Sequence, residues 1–257
     1  MVADFGLSGK AETAMRLLLQ DEELQVSQEY ANTVSILRLG YNDHGPVHMR
    51  TVAMNAMIML RLLRQAEVKT SLEKEASGDF EDSLTAVVCA SLLHDLGMGV
   101  GRQDHELHSA YLALPILNRI LQQAYAGNLQ KQVMIRALTV EGITGHMGVR
   151  TIHSLEAGVV QVADGCDMTK GRARIPIALG MAQKTTGHIH QYSANSIEGV
   201  QINAGQEKPI RIEVFMSNES GIFQVEEVLL RKIDGSTAKP HIELYAQVRE
   251  DEARQYL

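Results

Sequence analysis

The chain has 257 residues, 45% of them apolar, with 24 Lys and Arg against 31 Asp and Glu, four Phe, no Trp, two Cys and ten His. These values describe a globular protein with one large domain, or a main domain with a small appendage, and exclude a disordered, collagen-like or coiled-coil chain. The net charge of -7 argues against broad nucleic-acid binding, which needs a basic face to displace counterions, but is compatible with a local basic pocket for one small phosphate ester.

Cys89 and Cys166 can build neither a disulfide framework nor a multi-Cys zinc site, and no basic-apolar-small leader opens the sequence. A cytoplasmic protein with reduced thiols is expected. The longest apolar runs, over 54–63 and 84–93, are interrupted by Arg61, Arg64 or His94, well short of the roughly 20 residues of a membrane span. No membrane partner is expected.

Over 11–39 apolar residues recur at three- and four-residue steps, predicting one or two helices stopped by Gly40. Asp43 is a candidate N-cap and Pro46 fits a first helical turn. They open a helix over 45–66 with Val52, Ala56, Leu60 and Leu63 on one face. A polar connection ending in Ser77, Gly78 and Asp79 precedes a nearly all-apolar helix over 81–96, which should be central. Gly97, Gly99 and Gly101 read as a hinge, since no strand feeds them and no Gly-Lys-Ser/Thr follows to make a phosphate loop. Asp104 is placed as the cap of a helix over 104–126, and further helices are predicted over 130–144 and 151–169.

After Pro176 the chain becomes more polar, and 201–209 carries turn-forming residues, so a boundary is set near 200. Beyond it, 210–216 alternates as a strand, 221–233 is helical and 241–248 alternates again. The predicted fold is mainly α: a helical bundle over 1–200 with a small strand-helix-strand α/β appendage over 201–257. One such unit leaves a sheet edge uncovered, so a homodimer paired through that edge is expected.

Histidines and aspartates carry the chemistry. His44 and His48 stand four residues apart, and an early helix start would put both on one face, about 6 Å apart along the axis. His94 and Asp95 follow an apolar run; adjacent imidazole and carboxylate groups beside a core are costly without partners, and metal ions are the most economical ones. His105 opens a helix, His146 closes another, and Asp164 lies in an apolar stretch. Taken singly, these are hydrogen-bonded core, capping or surface residues. As a set they can converge only if the bundle is built around them, and nitrogen and oxygen donors without thiolates suit Mn, Fe, Zn or Mg.

In this order the residues resemble the HD superfamily of metal-dependent phosphohydrolases. His48, followed by Val52 and Ala53, resembles that family's first histidine, and His94-Asp95, within Leu-Leu-His-Asp-Leu-Gly, resembles its name-giving pair. His105, with Ser109 four residues later, resembles the third histidine, His146 the fourth, and Asp164, within Val-Ala-Asp-Gly-Cys-Asp, the final aspartate. The resemblance covers about 40–175. It implies an HD-type catalytic domain holding two divalent ions, of Mn, Fe, Zn, Co or Mg, through His48, His94, Asp95, His105, His146 and Asp164. Asp95 is then the bridging, catalytic carboxylate. Such ion pairs activate water for attack on a phosphoester.

The sequence also departs from that family's better-known branches. His146 is followed by Met147, Gly148, Val149 and Arg150 rather than by the Gly-Tyr-Pro of the cyclic-dinucleotide branch, which weakens that assignment. Where some members bind a third ion, this chain has His44 and Met147, so two ions are expected and His44 is assigned to supporting a ligand or contacting substrate. A Lys common after the His-Asp pair is replaced by Met98. Arg102, Lys170, Arg172 and Arg174 are then the candidate cations for a substrate phosphate. Asp167, three residues after Asp164, is assigned to orienting a ligand or pairing with Lys170. The expected function is hydrolysis of a small phosphate ester, a nucleotide or cyclic nucleotide; the alternative is a catalytically weak nucleotide-sensing or regulatory module.

Overall fold

The computed structural model describes residues 9–168, 193–249 and 252–257. At its centre is α5 (Phe80–Leu93), where every residue from Asp82 to Leu93 is buried. A helix apolar on all sides must be surrounded, and α5 is packed by α1 (Gly9–Gln20), α3 (Pro46–Gln65), α7 (Leu129–Gly145) and α8 (Leu155–Cys166). A reciprocal cap between Asp79 and Asp82 starts α5. Around this core lie α2 (Glu22–Thr33), the short α4 (Ser71–Lys74) and α6 (His105–Ala124).

Helix α3 starts with Pro46 in its first turn, as the sequence predicts, and buries His48, Val52, Ala56, Leu60 and Leu63. The Asp43 cap is corrected. Gly45 occupies the cap position without a side-chain bond, while Asp43 Oδ1 accepts from Gly45 N at 2.7 Å, closing the turn before the helix. Helix α5 stops earlier than expected: His94 is its C-cap and Asp95 leaves the helical path at φ -107°, ψ 8°. A single 3-10 turn, Leu96–Gly99, follows.

That turn is a packed corner rather than a hinge. Gly97 N donates to Ser109 Oγ at 2.8 Å, and a Cβ on Gly97 would lie 2.0 Å from the carbonyl oxygen of His105. The missing side chain lets the segment after Asp95 rest directly on the first turn of α6. Asp104 sits at the start of α6 with φ 51° and makes no side-chain cap bond, so the predicted Asp104 cap is also corrected. Helix α8 begins at Leu155 rather than 151, because Ser154 caps it by accepting from Ala157 N at 3.1 Å.

The C-terminal part forms a four-stranded sheet in the order β1-β2-β3-β4. Strands β1 (Ile197–Ala204) and β2 (Ile210–Met216) make an antiparallel hairpin, and β3 (Ile242–Val248) runs parallel to β2 with Ile212 opposite Leu244. The two-residue β4 (Arg254–Gln255) pairs antiparallel with β3. The predicted strands at 210–216 and 241–248 are present, whereas β1 has no counterpart in the predicted strand-helix-strand order.

Between β2 and β3 the chain crosses over as α9 (Ile222–Gln224), a π turn (Val225–Leu230) and α10 (Arg231–Asp234). This crossover packs on α8. Gln161 of α8 donates through Nε2 to the Lys232 carbonyl at 2.9 Å, and a Cβ on Gly158 would lie 2.2 Å from Thr237 Oγ1. Val225, Leu229 and Ile233 join Val159 and Val162 in one continuous buried apolar cluster. The bundle and the sheet share a core. The observed fold is mainly α with a small α/β part.

Candidate metal centre

Each helix delivers its ligand candidate at one end. His48 comes from the first turn of α3, His94 and Asp95 from the end of α5, His105 from the start of α6, His146 from the end of α7 and Asp164 from the last turn of α8. All six are buried. Asp95, His146 and Asp164 line a cavity of about 710 Å³.

Asp95 divides the cluster in two. On one side, His48 Nε2 lies 3.1 Å from His94 Nε2, 3.2 Å from Asp95 Oδ2 and 3.2 Å from Asp164 Oδ1. On the other, His105 Nε2 lies 3.1 Å from His146 Nε2 and 3.2 Å from Asp95 Oδ1, with His146 Nε2 3.5 Å from that same oxygen. His94, Asp95 and His146 also bring donor atoms close enough together to share one ion, as do His48, His94 and Asp164.

The ring tautomers follow from the other nitrogens. His94 Nδ1 lies 2.8 Å from the Ser91 carbonyl, His105 Nδ1 3.0 Å from the Arg102 carbonyl and His146 Nδ1 2.7 Å from the Ile143 carbonyl. A carbonyl only accepts, so each Nδ1 carries the proton and each neutral ring turns the lone pair of Nε2 inward. His48 Nδ1 donates to Asp167 Oδ2 at 2.7 Å, with the same result. Two pairs of inward lone pairs then face one another at 3.1 Å, and Asp95 Oδ2 is buried without a hydrogen-bond partner among the described residues. Lone pairs so close repel unless a cation lies among them. The donor set fits divalent metal ions.

Electrostatics reinforce this. Burial opposes ionisation of Asp95, so its carboxylate needs positive charge beside it: protonated imidazoles, His94 foremost, would hold its carboxyl well below the usual range, and a cation among neutral rings would supply the same charge. Asp164 is likewise penalised by burial, and the Lys232 ammonium beside it holds its carboxyl well below that range. Burial pushes the His146 imidazole down to about 4, leaving it neutral and able to donate its lone pair near pH 7.

The residues assigned around the centre divide. Asp167 Oδ2 lies against His48 Nδ1. Arg102 lines the cavity, its guanidinium 5.7 Å from the Tyr41 ring centroid and its Nη1 3.5 Å from His105 Nε2. His44 precedes α3 instead of sharing its face; its Nδ1 lies 2.9 Å from Ser35 Oγ and 2.6 Å from the Asn42 carbonyl, and the residue still borders the cavity. Lys170, Arg172 and Arg174 lie outside the described residues. Sequence reasoning missed Lys232, which reaches in from the crossover helix, pairs with Asp164 Oδ2 and donates to the His146 carbonyl at 3.0 Å. No local pattern marks it.

A helical bundle that gathers His, His-Asp, His, His and Asp from five helices in that chain order has the architecture of the HD superfamily of metal-dependent phosphohydrolases. Residues 47–169 match the HD domain family, and the chain belongs to it. It is 44% identical over 239 residues to "Uncharacterized protein MJ1020" of Methanocaldococcus jannaschii, an alignment covering 91% of this chain and 88% of that protein. No solved structure matches the chain. No helix among the described residues is long and apolar enough to cross a membrane.

Proposed function

We propose that the protein is a two-metal phosphohydrolase acting on a small phosphate ester, a nucleotide or cyclic nucleotide. The observation that carries this reading is the position of Asp95, which offers one oxygen to His48 and His94 and the other to His105 and His146. A carboxylate placed between two sets of lone pairs is suited to bridging two cations. When bound, such a pair supplies a water acidic enough to attack phosphorus at neutral pH.

The chain's own residues prepare that step. The backbone acceptors behind His94, His105 and His146 fix each ring in its ligating tautomer, and Asp167 does so for His48. Arg102 lines the cavity and neutralises the anionic ester, and the cavity is of nucleotide size.

Elemental analysis followed by a phosphoester screen tests the reading. Wild-type protein should carry two divalent ions and cleave a phosphomonoester or phosphodiester with the ion it retains. Asp95→Ala should lose both ions and all turnover, and His146→Ala should lose one ion. Full retention of metal and turnover by Asp95→Ala would refute the proposal.

A further inference from the structure

We propose that Lys232 is a positioning residue of the metal centre, fixing Asp164 as a single-oxygen ligand, and that the crossover helix of the C-terminal sheet is therefore a working part of the active site. The inference rests on the two-metal reading above.

Lys232 is nine-tenths buried, and its ammonium has three hydrogens to place. One goes to Asp164 Oδ2 and one to the His146 carbonyl, 3.0 Å away. Asp164 meets His48 and His94 through Oδ1, so the ammonium occupies the oxygen that the ligand cluster does not use. Carboxylates bind divalent cations through one oxygen or two. With Oδ2 held by Lys232, only Oδ1 is offered, and a coordination position stays open for water.

The same ammonium links the two halves of the centre, since Asp164 belongs to one side of Asp95 and His146 to the other. Its third hydrogen is available to the cavity that Lys232 lines together with Asp95 and Arg102.

Stability alone does not account for a lysine here. Buried ion pairs are often no better than apolar packing of equal volume, because desolvation offsets the attraction. Leu229 and Ile233, on either side of Lys232, already seal the crossover helix in the apolar core. The approach is also built for closeness: Gly158 carries no side chain where the chain after α10 crosses α8, and Gln161 holds the Lys232 carbonyl.

The test compares wild type, Lys232→Met and Lys232→Arg, each loaded with cobalt(II), whose visible absorption weakens as coordination number rises. Circular dichroism and thermal melts first establish folding. In Lys232→Met, Asp164 gains a free second oxygen; the visible bands should weaken and kcat fall at least tenfold, with a smaller change in KM. Lys232→Arg, still able to donate to Oδ2, should recover most of the wild-type spectrum. If the methionine variant does not fold, Lys232→Gln, too short to reach both acceptors, should show the same weakening. A folded Lys232→Met or Lys232→Gln variant with the wild-type cobalt spectrum and kcat would overturn this inference while leaving two bound ions in place. Failure of wild type to take up cobalt would instead overturn the two-metal reading and this inference with it.

Discussion

Asp167 Oδ2 lies 2.7 Å from His48 Nδ1, behind the imidazole whose Nε2 faces His94, Asp95 and Asp164. The carboxylate fixes the ring's tautomer and raises the basicity of the nitrogen turned toward the cluster. The two residues are 119 positions apart in the chain.

Loss of that support should weaken metal binding without unfolding the bundle. Asp167→Ala is expected to raise the dissociation constant of the ion held by His48, His94 and Asp164 by about 10- to 100-fold. Asp167→Asn, which keeps an acceptor for Nδ1 but not the charge, should fall between that variant and wild type. Metal competition titrations measure the order.

Gly97→Ala should be far more damaging than its size suggests. The new Cβ would lie 2.0 Å from the His105 carbonyl oxygen and 2.6 Å from Ser109 N, both backbone atoms that cannot rotate away. Relieving the clash moves the start of α6 away from Asp95. A loss of about 1–3 kcal/mol, typical of overpacking, should accompany loss of one bound ion. Urea midpoints and metal content measure the two effects.

The buried thiols make an alkaline signature. Burial pushes the Cys89 thiol up to about 12, and Cys166 is raised too, chiefly by burial, with Asp164 and Asp167 adding to the shift. A group whose folded pKa lies above its unfolded value binds protons more tightly when folded. Its contribution is therefore complete below about pH 9 and is lost as pH rises toward 12, by about 1.4 kcal/mol per pH unit for each thiol. The Cys89→Ala/Cys166→Ala variant should show a flatter fall in stability from pH 9 upward. At pH 7.5 native protein should resist thiol reagents, and both cysteines should react after denaturation.

Much of the bundle was legible because its signals are local. The run from Leu84 to Leu93 is apolar on every side, which places α5 at the centre, and Pro46 marks the start of α3 by its fixed φ and missing N–H. Strand β1 was not legible, since Gly199 and the Ile197/Gly199 irregularity break the period and leave only a short alternation from Val200 to Ala204. His44 illustrates a different limit. Its four-residue spacing from His48 has meaning only inside a helix, and α3 begins two residues later, with His44 turned toward Ser35 and Asn42.

By itself the sequence determined which side chains could serve a cation: imidazoles and carboxylates in a fixed order, most of them at a predicted helix end. Metal ligation demands specific residue types, so that part of the site is written in local motifs. Only the tertiary structure decided that Asp95 faces both halves of the cluster, that Asp167 stands behind His48, and that Lys232 closes the site from a helix 68 residues beyond Asp164. Those partnerships arise where helix faces pack across long stretches of chain, and a packing contact leaves no periodicity in the segments that make it.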